Sequence, residues 1–372
     1  MRTARVGATL PAAALALTVV LSGCSSTTAE VEETASSTTE ATDDTATSDG
    51  VVAEAEAFAA TLDDDQLASL NQDYTFDNAA NWSNLPNALL GGGGGPGGES
   101  TSSGRIGLQT DSLSDEQWTA LEELLTAATG TAENEGFDEI MQHLAGDDYL
   151  EAEGGGSDYG RGNYFIAFLG EPSDSGTWEL QFGGHHLAVA NTYTGGELVG
   201  ATPSFRGMEP QSTVEQDGTT VQPEQQEQAA FAALLASLDD DQLSTAELGS
   251  SYGDILLGPG EDWAFPTSSE GLVGSELSDD QKALLLAAIQ TYVGDVDDAD
   301  AETILAEYEA ALDETYIAWA GDSTVSEQGA YVRIDGPRVW IEFSLQNGIV
   351  LSGAHPHAVW RDKETDYGGL PS

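Results

Sequence analysis

Four of the chain's five histidines fall in two tight groups, Gly183-Gly184-His185-His186-Leu187 and His355-Pro356-His357. Neutral imidazole is the commonest side-chain ligand for zinc, copper and iron, so two such groups in a histidine-poor chain point to a metal site. In extended chain His355 and His357 project to the same side and can chelate one ion, whereas the adjacent His185 and His186 project to opposite sides. At most one of the latter two is expected to join the former. His186 shares its alternation with Ala188 and Ala190, which leaves room for a ligand, and His185 shares it with Leu187 and Val189, which also fits a hydrogen-bonded core histidine. The glycines before them can break the alternation, so both stay candidates. Three imidazoles and an open position suit zinc or copper, with water as the fourth ligand.

Three further residues are candidates beside such a site. Glu342 and Asp362 are placed to orient a histidine or act as a general base, with an exposed strand face as the plainer account of Glu342. Arg361 is expected to hold an anionic ligand or, more simply, to pair with one of the chain's many acids. His143 falls on a predicted helix and is read as incidental. The run Asp295 to Asp300 lacks the sixth-position Gly and twelfth-position Glu of an EF-hand. Gly91 to Gly98 is a flexible loop with no Lys or Ser/Thr in phosphate-loop register, and no serine-hydrolase, dinucleotide or zincin motif is present.

The elements that must position these residues announce themselves through helix starts. Leu62-Asp63-Asp64-Asp65-Gln66, Leu113-Ser114-Asp115-Glu116-Gln117, Leu238-Asp239-Asp240-Asp241-Gln242 and Leu277-Ser278-Asp279-Asp280-Gln281 each read as a capping box. Leu67, Trp118 and Leu243 follow at the staple position, and Lys282 breaks the pattern. Helical spacing of Trp118, Leu121, Leu124 and Leu125, and of Leu284, Leu285, Ala288 and Ile289, predicts core-facing helices. Two more are predicted over Phe137 to Leu144 and Glu302 to Leu312.

Strand-like sequence then follows twice. Phe165 to Gly170 matches Tyr316 to Gly321, and Gly176 to Pro203 lies on Gly329 to Pro356 without a gap, with Gly176, Gly183, Gly195, Leu198, Gly200, Ala201 and Pro203 identical to their counterparts. The expected fold is α+β: two internally duplicated halves, 51–210 and 229–372, joined by a connector at 211–228. Each half is helices followed by a small antiparallel β-meander, and the two pack as a pseudo-two-fold pair. On this alignment each half supplies histidines where the other has none, as expected if one composite site lies near the internal interface.

The N-terminus reads as an export signal: Arg2 and Arg5, an apolar run from Ala8 to Val20, then Leu21-Ser22-Gly23-Cys24, which resembles a bacterial lipobox. Residues 1–24 are the expected lipoprotein signal peptide, with Cys24 lipidated. Residues 25–50 are the expected disordered, acidic, Ser/Thr-rich tether on the extracytoplasmic face of the membrane. Cys24 is the chain's one cysteine, which excludes disulfides and thiolate-metal chemistry in the mature protein. A formal charge of −55, from 65 acids against 10 Lys and Arg, argues against nucleic-acid binding and for a strongly solvated surface.

Tyr164 to Gly170, Trp178 to Leu187, Pro203 to Pro210 and His355 to Gly368 together resemble the domain-of-unknown-function 3500 family. The Gly-His-His-Leu segment and the terminal run of His355, His357, Trp360, Arg361, Asp362, Asp366, Tyr367 and Gly368 carry that resemblance. It implies an exported bacterial protein without an assigned reaction. The leading functional expectation is a metal-dependent enzyme, hydrolytic, with His186, His355 and His357 as ligands and Arg361 near the substrate. The alternative is a non-catalytic metal- or ligand-binding surface lipoprotein.

Overall fold

Local side-chain chemistry starts the helices of the computed structural model, which describes residues 49–90, 104–216 and 218–371. Cys24, the signal and most of the tether, and the Gly91 to Gly98 loop lie outside the described residues. After α1 (Asp49–Ala60), Asp63 caps α2 (Asp64–Leu70), followed by β1 (Asn71–Gln72), the one-turn helices α3 (Phe76–Ala79) and α4 (Asn87–Leu90), and β2 (Leu108–Gln109). Ser114 caps α5 (Asp115–Ala128), and α6 (Gly136–Leu150) follows. The strands β3 (Phe165–Leu169), β4 (Thr177–Gly184), β5 (Leu187–Thr194), β6 (Glu197–Gly200) and β7 (Ser204–Gly207) come next, then a hairpin of β8 (Val214–Gln216) and β9 (Thr219–Val221). The later part again runs from helices to strands. Helix α7 (Gln225–Ser237) precedes α8 (Asp240–Ala246), capped by Asp239, then β10 (Leu272–Val273), α9 (Asp279–Val293), capped by Ser278, and α10 (Asp298–Ala310). Four strands close the chain: β11 (Tyr316–Ala320), β12 (Tyr331–Asp335), β13 (Val339–Asn347) and β14 (Ala354–Asp362).

All four capping boxes form, the N-cap side chain accepting from the Gln backbone N–H while the Gln side chain accepts from the N-cap backbone. The Gln amides also pair between helices. Gln117 Nε2 donates to Gln66 Oε1 at 2.8 Å, and Gln281 Nε2 to Gln242 Oε1 at 2.8 Å, so each pair locks a short helix to the start of a long one.

The meanders do not stay separate. One sheet runs β1-β3-β4-β5-β7-β14-β13-β12-β11-β10, antiparallel except where β1 lies parallel to β3, with β2 on β3 and β6 on β5. The join is the antiparallel β7–β14 pair, from His357 opposite Gly207 to Trp360 opposite Ser204. Pairing there leaves neither meander with an open edge at the centre, where unpaired N–H and C=O groups would be a liability. The fold is thus mixed α and β around one large mixed sheet.

Helices cover one face. Leu121, Leu124, Leu125 and Ala128 of α5 pack with Phe58, Trp178 and Leu180, and Leu285, Ala288, Ile289 and Tyr292 of α9 pack with Phe231, Ile341 and Trp360. Burying an aliphatic or aromatic side chain of this kind contributes about 1.5–3 kcal/mol each. Loop residues cover the other face, where Phe205 and Val359 meet Trp82 and Ile255. Alternation along β7 and β14 therefore turns Phe205, His357 and Val359 toward the loops and Arg206 and Ala358 toward the helices. Among the described residues no helix is long and apolar enough to cross a membrane.

Candidate metal centre

His185 and His186 form the two-residue turn between β4 and β5, whose last ladder pair is Gly184 opposite Leu187. They are not strand residues, and strand alternation does not apply to them. His186 takes φ +61°, a left-handed conformation that costs a non-glycine residue about 1–2 kcal/mol. The turn brings the two rings onto the same side, stacked with centroids 3.7 Å apart. Neighbours hold this strain in place. His186 N donates to Asn84 O at 3.2 Å, Tyr164 Oη donates to His185 O at 2.7 Å, and Arg105 Nη2 donates to the carbonyls of Ser83, Leu85 and Gly184 at 2.6–2.7 Å. The Tyr164 ring fills the space a Cβ on residue 184 would need, 2.6 Å away, so only glycine fits there.

His355 and His357 sit on the same face of β14, and their Nε2 atoms are 3.1 Å apart. His357 Nε2 is 3.2 Å from His186 Nε2, and the three ligand nitrogens lie within 4.8 Å of one another. Gly207, opposite His357, makes the approach feasible, since a Cβ there would lie 3.3 Å from His186 and 2.9 Å from the Pro356 carbonyl. His186 comes from the first meander and His355 from the second, and the β7–β14 pairing is what unites them.

The protons of this cluster can be counted. His357 Nδ1 is 3.0 Å from Asp254 Oδ1, and a carboxylate only accepts, so Nδ1 carries the proton and Nε2 presents a bare lone pair. Both His355 Nε2 and His186 Nε2 converge on that lone pair, and His355 Nδ1 is buried without a partner. No assignment of protons gives all three Nε2 atoms a good hydrogen bond, whereas one cation satisfies them together. Nitrogens bound to a tetrahedral ion at about 2.0–2.1 Å lie roughly 3.3 Å apart, close to the two separations found here. The rings are 2–8 % exposed. Burial, with the neighbouring imidazoles adding to it, pushes His186 well below the usual histidine range and His355 down to about 3, so both stay neutral and able to ligate. The Asp254 contact is the carboxylate–histidine arrangement that fixes the tautomer of a metal ligand.

His185 stands beside the trio but faces elsewhere. Its Nδ1 is 2.6 Å from Asp147 Oδ1 of α6, and Tyr159 packs edge-on against its ring. Arg361 lies four residues along β14, fully buried, with Nε on Asp366 at 2.8 Å and Nη2 on Asp262 at 2.9 Å and Tyr367 Oη at 3.1 Å. Its donors are committed to internal partners, the simpler of the two expectations for it. Asp362, expected beside the histidines, points to the opposite face, as alternation demands. It accepts from Tyr308 Oη at 2.8 Å and pairs with Arg338 at 2.9 Å. Glu342 is not on an exposed face: it is fully buried and accepts from Tyr331 Oη, Trp340 Nε1 and the backbone N–H groups of Leu256 and Leu257. It anchors the loop that carries Asp254 to His357, and so bears on the centre at one remove. Asp295 and Asp297 do not form a calcium loop, since Asp295 pairs with Arg206 and Asp297 caps α10.

Asp254, Asp147 and Arg105 escaped the sequence analysis. Asp254 and Arg105 lie in loops without periodicity. Glu139, His143 and Asp147 recur every four residues on one helix as a polar stripe, and what the spacing does not show is that this stripe is buried. His143, read as incidental, is 2 % exposed inside that stripe.

No curated protein and no solved structure matches the chain. The family described as protein of unknown function (DUF3500) matches residues 44–369, a span that holds both histidine groups and every partner named above, and the chain belongs to that family.

Proposed function

We propose that this protein holds one zinc or copper ion on His186, His355 and His357, with Asp254 supporting His357. The convergence of three Nε2 atoms at 3.1 and 3.2 Å carries the proposal. A bound ion of this kind supplies a Lewis acid and, with three protein ligands, a fourth position for water, the arrangement suited to hydrolysis. The finer reading is a hydrolase for a small substrate, since rings this buried admit nothing large. A closed, non-catalytic metal carrier is the second reading, favoured by that same burial. Metal analysis of the full chain, purified without an affinity tag, tests the site: His355→Ala/His357→Ala is expected to lose about one equivalent of metal while remaining folded. Equal metal content in the two proteins refutes it. A cobalt-substituted protein whose visible spectrum responds to small anions supports the open, catalytic form, and an unresponsive one the closed form.

Internal duplication is part of the proposal. The two Gln–Gln locks, the shared order of elements, and the parallel contacts of Asn71 with Phe168 and Glu247 with Trp319 support it. Strands β7 and β14 pair symmetrically about their centre under the 153-residue offset, as a pseudo-two-fold axis requires. Lipid attachment at Cys24 and an extracytoplasmic location rest on Leu21-Ser22-Gly23-Cys24 and the preceding apolar run.

A further inference from the structure

Beneath the helix face of the sheet lies a second group that the three-histidine centre does not use. Glu139 and His143 lie one turn apart on α6, and Glu224 precedes α7 with φ +66°. All three are at most 2 % exposed, and their ligand atoms lie within 4.8 Å of one another. His143 Nδ1 is 2.9 Å from the Glu139 backbone carbonyl, which only accepts, so Nδ1 carries the proton and Nε2 is bare. That Nε2 is buried without a partner and faces Glu224 Oε1 at 3.7 Å. The separation is too long for a hydrogen bond, so both atoms are left unsatisfied in a sealed interior, which costs free energy. It is close to the roughly 3.4 Å between ligands on a tetrahedral ion with bonds of about 2.1 Å.

The carboxylates tell the same story. Glu139 Oε2 accepts from Arg206 Nε at 3.0 Å, which leaves Glu139 Oε1 unpartnered, and both oxygens of Glu224 are unpartnered. Glu135 and Glu227, which both act on Glu224, each add an unpartnered buried oxygen, and Asp295 pairs with Arg206 at 2.8 Å. One guanidinium faces this set of acids, with a neutral imidazole among them. A buried carboxyl without a hydrogen-bond partner must hold a proton or find a counter-ion.

We propose that Glu139, His143 and Glu224 bind a divalent transition-metal ion, distinct from the ion of the three-histidine centre and structural in role. One imidazole with carboxylates selects zinc, manganese or iron(II) over calcium, which prefers six to eight oxygens. The His143 Nδ1–H bond to a backbone carbonyl is the support that a ligating imidazole receives. The ion would join α6 to the start of α7, and so the first half of the chain to the second.

Crystals of the full chain, soaked in turn with Zn2+ and Mn2+ and measured at each absorption edge, test this without any mutation. An anomalous peak within bonding distance of His143 Nε2, Glu139 Oε1 and Glu224 Oε1 is expected with at least one of the two ions. No peak there with either ion overturns the inference, whether or not a peak appears among His186, His355 and His357. The two sites therefore fail separately. In solution, His143→Gln is expected to lose about one equivalent of metal and to keep the equivalent that His355→Ala/His357→Ala removes. A folded His143→Gln with undiminished metal overturns the inference as well, and if that variant does not fold the wild-type maps decide.

Discussion

Asp254 is the sharpest place to probe the three-histidine centre, because it touches no proposed metal position itself. Its carboxylate accepts from His357 Nδ1–H at 3.0 Å, and its side chain is 48 % exposed. Removing such a support typically weakens metal binding 10- to 100-fold. Half exposure screens the carboxylate, so Asp254→Ala is expected near the lower end, about tenfold, equivalent to roughly 1.4 kcal/mol. Asp254→Asn keeps an acceptor and loses the charge, and should fall between wild type and Ala. At free metal 100 times the wild-type Kd, binding stabilises the fold by about 2.7 kcal/mol, and a tenfold weaker site by about 1.4 kcal/mol. Competition against a chromophoric chelator gives the affinities, and denaturant melts with and without metal give the stabilities. Metal-free wild type and variant should melt together, since the removed group is half in water. An unchanged affinity in Asp254→Ala refutes the assignment, and so does an affinity loss matched by equal destabilisation of the metal-free protein.

Two further outcomes follow from buried charge. Arg361→Met leaves Asp366 and Asp262 facing one another without their guanidinium, and should cost about 3–5 kcal/mol in denaturant unfolding while metal content holds; a loss below about 1 kcal/mol would show that the ion pair matters little. Glu179 is pushed up from 4.5 to about 7 by burial, against hydrogen bonds from Gln181 and Thr192. The folded state therefore binds this proton more tightly than the unfolded chain, so its contribution is full below about pH 4.5 and is lost as pH rises through about 7, by up to roughly 3 kcal/mol. Glu179→Gln should gain on wild type between pH 5 and pH 8, and a stability difference independent of pH rules the assignment out.

What could be seen in the residues was local chemistry. A capping Asp or Ser with Gln three residues on is satisfied within one turn, and all four such starts became helices. The spacing of His355 and His357 likewise needed only strand alternation. The turn at His185 and His186 was hidden because alternation was applied to residues that leave the strand, although Gly183 and Gly184 marked the place. The fusion of two meanders through β7 and β14 depends on pairing residues about 150 apart, for which no local pattern exists. Asp362 and Glu342 were placed near the histidines by proximity in sequence. Alternation turned Asp362 away, and Glu342 proved to hold a loop. Asp254 reaches His357 from such a loop, where residue type has no periodicity to betray it, and the stripe of Glu139, His143 and Asp147 was legible but had the look of ordinary helix surface.

The contact between His186 and His357 spans 171 residues of chain. An ion held there is a cross-link as well as a centre, and the unfolded chain that kept it would be confined to a loop of that length. By chain-entropy reckoning such a closure disfavours the unfolded state by about 5 kcal/mol. The effect belongs to the denatured ensemble, so it would be invisible in the folded contacts. Chelation should thus lower global stability while leaving the folded backbone in place, and a chain cut between β9 and α7 should lose that benefit even when its two pieces reassociate.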